Sequence, residues 1–173
     1  VNCGTAVSAV KTPAGSLGHR ETPAGSRCHS SPLGVLDDAT LARVLAVCHG
    51  FRTFRDVENK AGALFMPDEQ LRYEPDAVRK VLEKKDGAGY AMLERLLPVL
   101  EAFATWTPAA LEAFIKDFCE QAGVKMGDVA QPVRVAITGR TISPAIGDSL
   151  ALLGKDQALR RIRGCLSRRT AAA

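Results

Sequence analysis

Thr107-Pro108, then Leu111, Phe114, Ile115 and Phe118, then Gly123, specifies a helix from its first residue to its last. A threonine hydroxyl accepts from the first free amides, and proline fits the first helical position because an N–H there has no partner in the helix anyway. Apolar residues three and four apart share one face, and glycine permits the left-handed turn on which helices end. The same grammar runs along the chain from Leu36. Leu41, Val44, Leu45 and Cys48 form a stripe behind the capping candidates Asp37-Asp38-Ala39-Thr40, and Phe51, Phe54 and Val57 continue it past a break at Gly50. Pro67 closes that stretch. Pro75 opens the next helix, with Val78, Val81 and Leu82 inward and Lys84-Lys85-Asp86-Gly87 at its end. Leu93, Leu96, Leu97 and Leu100 form another face, in which Pro98 deprives the Glu94 carbonyl of its donor and predicts a kink. Pro144 to Leu153 and Asp156 to Leu166 read as two short final helices, with Gly154 capping the first. Val133, Val135 and Ile137 alternate as a strand would, but a lone strand has no ladder to join. The expected architecture is therefore all-α.

Residues 1–35 follow no such grammar. They are rich in Gly, Ser, Thr, Ala and Pro and hold an imperfect repeat, KTPAGSLGH at Lys11 to His19 and ETPAGSRCH at Glu21 to His29. So few large apolar groups cannot offset the entropy of ordering, so this segment is expected to be a disordered tail. His19, Cys28 and His29 lack the fourth ligand and the spacing of a zinc site. Five cysteines at scattered positions fit reduced thiols, not a disulfide framework. No run approaches the roughly 20 apolar residues that span a bilayer. A cytoplasmic monomer without membrane contact is expected.

The stretch Asp128 to Pro144, DVAQPVRVAITGRTISP, carries the chemistry. Single-stranded RNA offers unstacked base edges and phosphates, which planar bidentate donors, turns and free helix-start amides meet well. Gln131 and Arg134 share a face if the segment is helical, Arg140 follows the Thr138-Gly139 turn as a phosphate contact, and Ser143-Pro144 reads as an N-cap with proline at the first helical position. On composition alone Gln131 and Arg134 read as plain surface residues. The net charge of +4 is uneven, since Lys155, Arg160, Arg161, Arg163, Arg168 and Arg169 face only Asp156 in the last stretch. That end is where a polyanion is expected to be steered, although the same arginines also suit a plain solvated helix face. Aromatic residues make up only 5% of the chain, too few for a dense stacking platform.

The order Gln-Pro-x-Arg-x-Ala-x-Thr-Gly, then Ser-Pro, then Leu-Leu-Gly-Lys and Ala-Leu-Arg-Arg-Ile resembles the C-terminal, anticodon-binding end of bacterial-type glutamyl-tRNA synthetases. Arg52-Thr53-Phe54-Arg55-Asp56 and Tyr73-Glu74-Pro75-Asp76-Ala77 extend the resemblance to roughly Leu36. It implies two successive helical subdomains caging the anticodon loop, here residues 36–74 and 75–169. It also implies that Gln131, Arg134, Ser143, Pro144 and Ile146 lie against anticodon bases, and that the partner is a glutamate-accepting tRNA. This chain departs from the family at one position. Family members carry an arginine three residues before the threonine matched by Thr53, which helps separate glutamate from glutamine tRNAs; here it is Gly50. Arg52 is the substitute at hand, offset round a helix, so acceptance of glutamine tRNA stays open.

The adenylating half of the family carries His-x-Gly-His and a Lys-Met-Ser-Lys-Ser loop. Neither occurs in these 173 residues, nor does a phosphate-cradling glycine loop. The chain alone is expected to be catalytically inactive and free of cofactor, with ATP and Mg²⁺ belonging to the full-length relative. Cys48-His49 diverge by about 100° on a helix, which argues against a nucleophile–base pair. The alternative from another class is a stand-alone helical protein-interaction module that has lost RNA binding.

Overall fold

The computed structural model describes Leu33, residues 36–48 and residues 50–171. The disorder expected of the leading segment, the His19, Cys28 and His29 cluster, and His49 lie outside the described residues. The described residues form eight α-helices and no strand: α1 (Asp38–Val47), α2 (Phe54–Ala61), α3 (Pro75–Ala77), α4 (Lys84–Ala102), α5 (Pro108–Ala122), α6 (Met126–Thr138), α7 (Ile146–Leu153) and α8 (Lys155–Ala171). None of them is long and apolar enough to cross a membrane.

Local chemistry fixes the starts. Asp37 accepts from the Thr40 amide at 2.9 Å to cap α1. At α2, Thr53 Oγ1 accepts from the Asp56 amide at 3.3 Å while Asp56 Oδ2 accepts from the amides of Arg52 at 3.1 Å and Thr53 at 2.9 Å. Those backbone donors, Arg52 first, hold the Asp56 carboxyl below its ordinary value. This reciprocal box explains the Thr53/Asp56 spacing without any ligand. Thr53→Ala is expected to lower stability by about 1 kcal/mol, read from urea unfolding. Thr107 caps α5 as its spacing predicts, accepting from the Ala110 amide.

α3 runs into a π-helical turn, Val78–Leu82, in which the Glu83 amide reaches the Val78 carbonyl at 3.0 Å. Lys85, Asp86 and Gly87 follow with φ of 51°, 59° and 86°, all left-handed. The break expected at Lys84 to Gly87 is therefore a turn at the head of α4. Pro98 lies inside α4, and the ambiguous alternating segment is helix, as part of α6.

α4 packs on α6 and α8, and α5 on α7. Leu93, Leu96, Leu100, Leu111, Ile115, Val133, Ile137, Leu150 and Ile162 fill the space between them. At Gly147 a Cβ would come within 2.5 Å of the Pro108 carbonyl oxygen, so α7 meets the start of α5 backbone to backbone. Trp106 Nε1 donates to the Leu150 carbonyl at 2.9 Å, and Lys155 Nζ to the Phe103 carbonyl at 2.7 Å, closing the ends of the helices they join.

Several expectations are corrected. Leu33, assigned to the tail, is in the core, whereas Phe51 and Phe54 are 44% and 50% exposed and only Val57 of that stripe is buried. α7 starts at Ile146 with no side-chain cap, because the Ser143 hydroxyl is engaged elsewhere, and α8 runs on to Ala171. At the basic C-terminal end the exposed arginines have partners. Arg163 Nη2 meets Glu101 at 2.6 Å, Arg169 Nη1 meets Glu94 at 3.2 Å, and Arg168 lies 4.8 Å from the Tyr73 ring centre.

Arg161 is the largest departure. It stands three residues from Ala158 and four from Cys165, on the inward face of α8, and is only 3% exposed. Its Nε donates to Asp68 Oδ1 at 2.7 Å, Nη1 to the carbonyls of Ala63 at 2.8 Å and Ile137 at 2.6 Å, and Nη2 to that of Met66 at 2.5 Å. Burial alone would raise the Asp68 carboxyl. Hydrogen bonds from Arg161 and Gln157, with the charges of Arg161 and Arg160, outweigh that and hold it below its ordinary value.

Candidate nucleic-acid interface

Arg134 is the centre of the surface that the sequence singles out. Its Nε donates to Ser143 Oγ at 2.9 Å, and Ser143 in turn donates to the Pro144 carbonyl at 2.9 Å. The buried Ser149 hydroxyl stands 3.2 Å from Ser143 Oγ and completes the network. One nitrogen of the guanidinium is thus spent on orientation. The two terminal nitrogens carry no hydrogen bond to any described residue, which leaves a planar fork for a bidentate acceptor. Burial pulls the guanidinium below its ordinary value, yet an arginine stays protonated at any pH where proteins fold.

The turn after α6 is fastened from three sides. Thr138 Oγ1 donates to the Arg134 carbonyl at 2.8 Å and accepts from the Arg140 amide at 3.3 Å. Gly139 has φ 72°, and its carbonyl accepts from the Glu74 amide at 2.9 Å. A Cβ there would lie 2.2 Å from the Arg72 carbonyl oxygen, so the chain before α3 passes directly over this glycine. Tyr73 donates its hydroxyl to the Ala136 carbonyl at 2.8 Å. Burial raises the phenol well above its ordinary value, so it stays a donor.

Other candidates fall less simply. Gln131 is half-buried on α6, and its Oε1 is sealed from solvent with no hydrogen-bond partner. A buried acceptor left unpaired costs on the order of 1–3 kcal/mol. Arg140 is exposed but already 3.2 Å from Glu74, so a phosphate there has to compete with that carboxylate. Pro144 and Ile146 are buried, against the expectation that they face a ligand; the exposed apolar side chain of this loop is Ile142, at 65%. Burial follows from α7 starting at Ile146, which turns that residue toward α5 with Leu150. Arg52 is exposed in the α1–α2 connection, ahead of the α2 N-cap, so neither it nor Gly50 is helical and their offset is not a rotation round a helix.

Cys48, Cys119 and Cys165 are buried free thiols, and burial pushes Cys165 up to about 11. Among the described residues no three His, Cys, Asp or Glu side chains converge on a point.

An anticodon binding domain family model matches residues 28–166. The chain belongs to that family. Within it the sequence is similar to glutamate–tRNA ligases: 42% identical to that of Thermus thermophilus over 117 residues, which is 68% of this chain and 24% of the relative. A Rhodopseudomonas palustris glutamate–tRNA ligase is 53% identical over 131 residues, 73% of this chain and 27% of the relative. The anticodon-binding chain thus spans about a quarter of the length of these relatives. The glutamate–tRNA ligase structure of Elizabethkingia meningosepticum, in complex with its amino acid, matches 76% of this chain and 25% of its own with a TM-score of 0.65 at 18% identity, a likeness of fold.

Sequence reading missed Thr138 and Ser149 as organisers of the Arg134 fork. Their signal is weak, since a buried hydroxyl at helical spacing looks like any small core residue.

Proposed function

We propose that this domain binds the anticodon loop of a glutamate-accepting tRNA for a glutamate–tRNA ligase, in the cytoplasm, and contributes specificity but not chemistry. The observation that carries the reading is the Arg134 fork, oriented by Ser143 and held open on the face that also presents Gln131. A guanidinium so fixed reads a base edge with little further loss of freedom, and one bidentate contact discriminates by about 1–3 kcal/mol. Residues 36–74 and 75–169 act as two subdomains that flank the loop. The ligase reaction itself needs ATP, Mg²⁺ and glutamate. The reading assigns none of these three to the present domain, whose sequence carries no glycine-rich phosphate loop.

The test is binding of the chain to an anticodon stem-loop hairpin of glutamate-tRNA sequence. Arg134→Ala is expected to weaken binding about ten- to a hundred-fold, and substitution of the anticodon bases to weaken it similarly. Equal affinity for wild-type and anticodon-substituted hairpins would sink the reading. Absence of any salt-dependent RNA binding would favour a protein-interaction module instead.

A further inference from the structure

A cavity of about 410 Å³ opens between the π-helical turn, the head of α4 and α6. Its walls are apolar, from Val81, Met92 and Pro132, while Lys80, Lys84 and Lys85 stand at its rim and Gln131 lines it from α6. The volume is in the range of pockets that hold one small molecule. All three lysines are exposed, and none forms an ion pair among the described residues; Asp128 is the sole carboxylate lining the cavity. Three cations against one anion at the mouth of an apolar slot select a ligand with a flat, weakly polar body and an attached anionic group.

We propose that this cavity is a pocket for a single unstacked nucleotide of the bound RNA, with its base between Val81, Met92 and Pro132 and its flanking phosphates on Lys80, Lys84 and Lys85. Gln131 lines the same cavity from α6. Gln131 stands three residues before Arg134 on α6, so the pocket and the arginine fork lie along the same face and can take neighbouring nucleotides. The backbone at the rim is unusual on both sides of Lys84. A π-helical turn precedes it, and two non-glycine residues, Lys85 at φ 51° and Asp86 at φ 59°, follow. Irregular backbone of this kind concentrates at binding sites because it re-aims side chains that a regular helix would spread round its axis. The inference rests on the anticodon-loop reading, and adds the residues that hold a second nucleotide and its phosphates.

The experiment titrates the full chain with the same stem-loop hairpin over a range of salt. Lys80→Ala combined with Lys84→Ala is expected to reduce affinity about ten-fold at low salt and to flatten the slope of log affinity against log salt by about 1.4, for two lost phosphate contacts on a single strand. Both lysines are exposed, so the fold is retained, and a circular dichroism melt checks it. Gln131→Leu is expected to weaken binding while leaving that slope unchanged. A double variant with wild-type affinity and slope overturns the pocket. If the wild-type chain itself shows no salt-dependent hairpin binding, the anticodon-loop reading falls first; if it binds through Arg134 but ignores the lysines, only the pocket falls. Uridine and adenosine monophosphate serve as free probes. Displacement of the hairpin by neither is expected, and full displacement by either would assign the cavity to a free nucleotide instead.

Discussion

Arg161→Met should lower the unfolding free energy by about 3 kcal/mol, the low end of the range found when one partner of a buried ion pair is removed, because the Asp68 side chain is 34% exposed. The variant strands the carbonyls of Ala63, Ile137 and Met66 and leaves the Asp68 carboxylate to Gln157 and Arg160, and a methionine cannot donate to any of them. Arg161→Lys is expected to rescue little. A single ammonium cannot reach four acceptors arranged round a planar fork, so most of the loss persists although the charge is kept. Arg160→Ala is the control, since Arg160 is exposed and stands 3.7 Å from the same carboxylate; it should stay within about 0.5 kcal/mol of wild type. The pH dependence follows from the sign of the Asp68 shift. A carboxyl held below its unfolded value stabilises the fold above that value and loses the contribution as pH falls through the folded one. The gap between wild type and Arg161→Met, measured by urea unfolding, should therefore narrow below about pH 4. A gap under about 1 kcal/mol at neutral pH would show that the carbonyls find other donors.

The contrast between Arg160 and Arg161 shows what this sequence discloses. Helices were legible wherever a cap, an apolar period and a stop coincide, as at Thr107 to Gly123, because all three act locally. Arg161 reads as part of a solvated face in the sequence because its charge outweighs its register. Its spacing from Ala158 and Cys165 is the signal that places it inward, but what makes the burial tolerable is four acceptors, three of which come from residues 63 to 68. No local window contains them. The same reason explains Pro144 and Ile146. Ser-Pro is a good helix start in isolation, and here Ser143 is drawn to Arg134, nine residues earlier, so the helix begins two residues late. Phe51 and Phe54 keep the period of a buried stripe, yet the chain turns at Gly50, at φ 78°, and both rings stay about half exposed, at 44% and 50%. Gln131 and Arg134 were legible as a pair on one face of α6. The lysine-rimmed cavity was not, because it is built from a π-helical turn and a left-handed turn, and neither leaves a periodic mark.

Gly139→Ala should cost about 2–5 kcal/mol, and the reason separates two effects that usually travel together. A residue with a Cβ at φ 72° carries a left-handed penalty of roughly 1–2 kcal/mol. The new methyl also lands 2.2 Å from the Arg72 carbonyl oxygen and 3.2 Å from the Tyr73 Cα, both backbone atoms that cannot step aside alone. Overpacking of that kind costs roughly 1–3 kcal/mol more. Gly123→Ala isolates the first effect, since Gly123 has φ 65° and no atom within 4 Å of its Cβ position. It should lose only the left-handed penalty, about 1–2 kcal/mol, and the difference between the two variants measures the collision. The collision also has a functional direction. Relief requires the 72–74 segment to lift from the turn, which breaks the Glu74 amide bond to the Gly139 carbonyl and loosens the Arg140–Glu74 pair. The loop from Arg140 to Ser143 is anchored at that point, and Ser143 is what aims the Arg134 fork. In the folded fraction Gly139→Ala should therefore weaken hairpin binding as well, whereas Gly123→Ala, at the far end of α5, should leave it unchanged. Hairpin affinity unaltered in folded Gly139→Ala would mean that the fork keeps its aim without the anchored turn, and that Ser143 and Ser149 suffice to hold it.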